Sequence, residues 1–233
     1  RAAGPTSLAS PFDPQVTDCA LGGTLTVSGS VANPLTLSTN DTLIFDYDAC
    51  AETGGEANGR VVIRIIRFSG RPETGAYTVV VRADLVDLAV TAAGETAIAK
   101  GSMTLTIDVA EGGGETDTIT AILLAIEQSG EVHSLGDYTV TETLDAVTGA
   151  WSVAVEGTLT STAFAGSATF ETVEPFVSVV GGFPSMGELV IHGANGATIR
   201  AVALDGTFVR LEIDDDGDGV VDASVDATWA ELT

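Results

Sequence analysis

The densest chemistry in the chain lies near its C-terminus, in the stretch DDDGDGVVD from Asp214 to Asp222. Asp214, Asp216 and Asp218 fill the first, third and fifth positions of the calcium-loop pattern D-x-[DN]-x-[DN]-G. Gly219 falls where such a loop turns sharply, Val220 would offer its backbone carbonyl, and Asp222 sits at the ninth position. Carboxylates crowded on one turn repel one another, and a hard divalent cation with oxygen ligands relieves that repulsion. Ca2+ is therefore the expected cofactor, held by Asp214, Asp216, Asp218, Val220 and Asp222. The twelfth position is Val225, where a bidentate Glu would close the site, so binding should be weak, about millimolar as in extracellular modules. Magnesium dehydrates reluctantly and fits less well. The competing account is a solvated acidic turn whose Asp-Gly pairs supply left-handed backbone.

Other residue types offer less. Cys19 and Cys50 are the two cysteines, and in an exported chain they would pair. Closing a loop of that length stabilises by about 3–4 kcal/mol; the alternative is two reduced thiols. Arg60, Arg64, Arg67, Arg71 and Arg82 gather five of the nine basic residues into two neighbouring strands. Period-2 geometry puts Arg60 and Arg64 on one face and Arg67 on the other. The set is a candidate docking patch for an acidic subunit surface or an anionic glycan; the plainer account is local neutralisation of nearby acids. His133 and His192 lack metal-ligand spacing, and no G-x-S-x-G elbow exists. Carboxylate pairs for glycoside chemistry are defined by separation in space, so 33 acids point to none in particular. No catalytic residue is assigned. Asn40-Asp-Thr is a glycosylation sequon if the source glycosylates exported proteins.

The acids outnumber the bases 33 to 9, a net charge of −24, and Lys100 is the one lysine. That field repels nucleic acid and anionic lipid. A 45% hydrophobic content sets the chain apart from disordered acidic sequences. The longest apolar run, ITAILLAI, is too short for a transmembrane helix, and 6% aromatics are few for an outer-membrane barrel. The chain opens on Arg1 rather than Met, which fits processing on export.

The elements that would carry these residues are strands. Thr, Val, Ile and Gly dominate in period-2 alternation, and no helical stripe survives two turns. Strands are expected at about 24–30, 42–47, 60–68, 76–91, 97–110, 117–128, 131–144, 150–163 and 167–174. A meander follows from Glu188 to Trp229, with Asn195-Gly196 and Asp205-Gly206 as type I′ hairpin turns. The acidic stretch then becomes a hairpin tip between the last two strands. The mixed apolar and Arg positions of VVIRIIRF suit a strand covered on both faces. The fold class is all-β: an antiparallel meander of about fourteen strands, as a curved sheet, a barrel or two packed sheets. Residues 1–18, with Pro5, Pro11 and Pro14, read as an N-terminal extension docked on its own domain or on a neighbouring subunit. Residues 19–233 read as a single β domain, with 174–187 as a sub-boundary.

Two stretches together carry a resemblance. They are CALGGTLTVSG…STNDTLIFDYDACAETGGEANGRV and PSMGELVIHGANGATIRAVALDGTFVRLEIDDDGDGVVDASVDATWAEL. In their paired cysteines, G-A-N-G hairpin, D-G turn, acidic loop and terminal T-W-x-E-L, they resemble the ends of uncharacterised exported β-rich proteins and lipoproteins of Gram-negative bacteria. The resemblance implies export and β architecture and brings no activity with it. The expected function is thus non-enzymatic: an exported structural or cell-surface β protein, a subunit of an extracellular assembly or filament. Its partners would be other copies of itself or cell-surface components. The alternative is a periplasmic barrel or half-barrel holding an apolar ligand such as a lipid, with periplasm or outer membrane as its place. A glycan-active enzyme is the third class.

Overall fold

The computed structural model describes residues 9–33, 36, 38–72, 75–163, 166–179 and 181–232. Alternating sequence becomes one 14-stranded antiparallel sheet in which every strand pairs with its neighbours in chain order. The strands are β1 Ser10–Asp18, β2 Gly22–Val31, β3 Thr42–Glu52, β4 Gly55–Gly70, β5 Tyr77–Ala92, β6 Glu95–Val109 and β7 Glu115–Gln128. They continue as β8 Glu131–Leu144, β9 Ala150–Ser161, β10 Gly166–Val179, β11 Met186–His192, β12 Thr198–Ala203, β13 Phe208–Asp214 and β14 Ala223–Thr228. The sheet does not close: β1 and β14 are its two ends. Of the three forms open to the sequence, the single sheet is the one observed, and neither a barrel nor a second packed sheet forms.

Two features of the chain were hidden in the sequence. Ser10–Asp18, within the expected extension, is a strand paired with β2. Pro11 and Pro14 mask its alternation, and the pairing slips at a bulge between Phe12 and Gln15. Residues 1–8, and with them Pro5, lie outside the described residues. At the 174–187 stretch, β10 and β11 are hairpin neighbours in the same sheet.

Because directly opposed residues share a face, the register sorts the sheet into two surfaces. One apolar row runs Val27, Phe45, Val61, Leu85, Gly101, Leu124, Leu135, Leu159 and Ala168 from β2 to β10. A second runs Ile65, Val81, Leu105, Ile119, Val140 and Val155. In the short strands Ile191, Ile199, Ile213 and Ala223 continue the same face. The opposite face is mainly polar in the middle: Ser30, Thr42, Arg64, Arg82, Thr104, Thr120, Thr139 and Glu156 form one row, while Ile44, Val62 and Leu123 are apolar members of the next.

The turns are locally specified. Asn195 (φ 58°, ψ 22°) and Gly196 (φ 87°) adopt the expected type I′ geometry. Asp205-Gly206 does not, since neither residue has positive φ. There the connection is four residues long, and Asp205 Oδ1 accepts the N–H groups of Thr207 (2.7 Å) and Phe208 (2.9 Å). An Asp side chain thus replaces the left-handed backbone.

The buried core is small. Val209 is fully buried, and Ala203 and Ser178 are buried as well. Trp229 shields this corner, edge-on to Phe176 and stacked on Phe183, with its Nε1–H donating to Pro184 O at 3.0 Å. Elsewhere Ile65, Val79 and Ala121 are buried on the apolar face, while most of that face is half-exposed. Cys19 and Cys50 are buried and joined as a disulfide, their Cα atoms 5.4 Å apart. No helix among the described residues is long and apolar enough to cross a membrane.

Candidate functional site

Asp214 ends β13, and the eight following residues turn back into β14. Its carboxylate is buried and organises the turn from inside. Oδ1 accepts the N–H of Gly217 at 2.7 Å and Oδ2 that of Gly219 at 2.9 Å. Both glycines are left-handed (φ 77° and 85°), which is why Gly recurs at those positions. Asp216 accepts from Asp218 N–H (3.1 Å), and Asp218 from Val220 N–H (2.8 Å). Ligand oxygens of Asp214, Asp216 and Asp218 lie within 4.8 Å of one another. Asp222 groups instead with Asp215 and Asp216, in a second exposed cluster within the same limit. The five expected ligands are therefore on one turn, but the carboxylates divide into two overlapping sets. Each engaged carboxylate oxygen keeps a lone pair, so the first set retains the donor chemistry of a hard-cation site.

Asp215 was not singled out by the pattern, where it is an unassigned position. Its backbone N–H donates to Asp222 Oδ2 at 2.9 Å. A shared side-chain hydrogen bond with Asp222, then the charges of Asp222, Asp216 and Asp214, raise the Asp215 carboxyl above its ordinary value. Asp222 is held below its ordinary value, chiefly by the Asp215 N–H.

The arginines form a ladder on the polar face. Arg60 pairs with Asp46, Arg64 and Arg82 share Asp84, and Arg82 also reaches Ser102. The Asp46 carboxylate raises the Arg60 guanidinium above its ordinary value. Buried Val62 sits between Arg60 and Arg64 on this face, opposite Asp84. The expected split of Arg67 from Arg60 and Arg64 is corrected by a bulge: Ile66 is skipped, and Arg67 pairs with Val80 on the polar face. Arg71 lies past the end of β4. Arg60, Arg64 and Arg82 are thus spent on nearby acids. The same device recurs far along the sheet, where Arg200 bridges Glu188 and Glu212, and Arg210 pairs with Asp226. Arg200 holds the Glu188 carboxyl below its usual range.

Ser161 and His133 do meet, Oγ to Nδ1 at 2.8 Å, with Glu131 3.6 Å from Nε2. The arrangement does not form a nucleophile. Ser161 is 2% exposed, and its Oγ already accepts the Ala163 N–H at 3.1 Å. A carbonyl substrate has no approach. His192 lies 3.6 Å from Glu171 at a shallow depression that Asp137 and Glu156 also border. Cys19, Cys50 and Glu52 also cluster, but disulfide sulfurs are not thiolate ligands, and Glu52 accepts the Ala20 N–H.

The largest feature is one that no motif announced. The apolar face spans the sheet; Val209 at the Trp229 corner and Ile65, Val79 and Ala121 elsewhere are buried on it, and the other residues of its two long rows are partly exposed. The solvent-accessible surface of the chain is 13,922 Å². A compact monomer of 23.6 kDa exposes about 9,800 Å².

No protein-family model, no curated protein and no solved structure matches the chain.

Proposed function

We propose that the chain is a non-catalytic structural β subunit, exported to the cell surface or beyond, whose apolar face is covered in its working form. The observation that carries this is the continuous apolar face without a second layer. Antiparallel sheets ordinarily bury one face against a core. A sheet that leaves such a face half-exposed is one component of a larger packed unit. The disulfide supports an oxidising compartment. The salt-bridged polar face and the buried Ser161 support a role without chemistry.

Sedimentation velocity of the full chain at micromolar concentration and physiological salt tests the proposal. Species heavier than one chain support it. A strict monomer that binds no apolar probe would sink it.

The apolar face also supports a second reading, a carrier for lipid-like molecules. The sheet is roughly 60 Å wide at about 4.8 Å per strand, so one acyl chain would cover a strip of it and leave the rest wet. Organic extraction of the natively purified protein separates the two readings. Weak Ca2+ binding at Asp214, Asp216 and Asp218 belongs to the structural proposal as a turn-stabilising ion. Millimolar CaCl2 should raise the melting temperature more than MgCl2 does, and an equal response to both would remove Ca2+ from the account.

A further inference from the structure

We infer that what covers the apolar face is the same face of a second copy, so that two chains form a closed two-layer sandwich. The inference rests on the proposal that this face is buried, and it names the partner.

Extent is the first argument. Opposed aliphatic rows cross many consecutive strands, and the rows through Phe45 and Leu105 hold no charged side chain. Only another broad, apolar, twisted surface matches that shape, and sheets stack face to face at about 10 Å. Area is the second. Each chain exposes about 4,000 Å² more than a compact monomer, so a pair has ample surface for an obligate interface of roughly 2,000–5,000 Å² counted over both partners.

Charge is the third. A −24 chain repels its copy, so a self-contact must keep its acids at the rim. On the apolar face Glu115, Asp117 and Glu142 lie at one end of β7 and β8, beside the row through Ile119 and Val140, and Glu95 and Glu131 lie at the opposite ends of their strands, so the acids border the two rows on either side. The Arg–Asp ladders are all on the opposite face, where they would point outward on both sides of the sandwich.

The edges decide between closure and growth. β1 carries Pro11 and Pro14, which donate no ladder hydrogen bond, together with a bulge. β14 is six residues long, and its end is capped: Thr228 N–H donates to Glu231 Oε2 at 2.8 Å. Both edges are poor templates for strand addition. A face-to-face contact between identical patches is isologous and stops at two.

Leu105 and Thr106 are neighbours in β6 that point to opposite faces, opposing Ile119 and Thr118. Equilibrium sedimentation of the full chain, of Leu105→Glu and of Thr106→Glu therefore tests the contact. The expected result is a mass of two chains for the wild type. Leu105→Glu should weaken self-association at least 100-fold, and Thr106→Glu should change it less than threefold. Circular dichroism reports whether each variant is folded; where Leu105→Glu unfolds the sheet, Leu105→Thr keeps strand propensity and serves in its place. A mass of two that both face variants leave unchanged overturns the inference. So do open-ended polymers, although these leave the structural proposal standing. A monomer carrying extractable lipid overturns both and favours the carrier. A bare monomer at all concentrations overturns both as well.

Discussion

Asp214 is a buried acid that serves two backbone donors, and removing it strands the N–H groups of Gly217 and Gly219. Asp214→Ala should cost about 2 kcal/mol, the scale of unsatisfied buried polar groups, read by urea unfolding. Asp215 works the other way. Its carboxyl is raised in the folded chain, so its contribution is present at low pH and is lost as pH rises through the raised value. At pH 7 it adds repulsion, whereas an amide there would donate to Asp222. Asp215→Asn should therefore raise the melting temperature at pH 7 without calcium, and the gain should vanish below about pH 4. Asp222 has the opposite sign: held low, its contribution is present above the ordinary Asp range and lost on acidification. The sequence pattern located this turn and its glycines correctly. It did not separate Asp222 from the first three acids, because pattern positions assume a loop wrapped round an ion, while here hydrogen bonds to backbone shape the turn. Buried Asp41 was missed too. Its oxygens accept the N–H groups of Ala32 and Ser38 at 2.8 Å, a loop closure that no spacing rule announces.

At the scale of elements, alternation made most strands legible, since period 2 is imposed by one apolar face. It failed where the backbone departs from period 2. The bulge at Ile66 returns Arg67 to the face of Arg60 and Arg64, and bulges leave little trace in residue type. The prolines of β1 hid a strand for a reason that is itself informative: they blunt an edge. Pro14→Val should restore pairing capacity along β1, and light scattering should detect faster aggregation than in the wild type; an unchanged protein would mean that the prolines do not protect the edge. The disulfide ties the turn after β1 to β3. With a sequence separation of 31 between the cysteines, its reduction should lower stability by about 3–4 kcal/mol in urea unfolding, and no loss would imply that the native sheet holds this corner unaided.

For the whole molecule, the sequence disclosed which face of each strand is apolar but not what lies on it. Two packed sheets, a barrel and a single open sheet share the same alternation. The difference is a matter of how strands continue, and here each pairs only with its chain neighbours. On the proposed reading, the open sheet is one layer of a two-layer unit. Solution X-ray scattering on the full chain measures both quantities at stake, particle mass and sheet thickness. The account predicts the mass of two chains and a thickness of two sheets about 10 Å apart. One chain's mass with the thickness of a single sheet would contradict it.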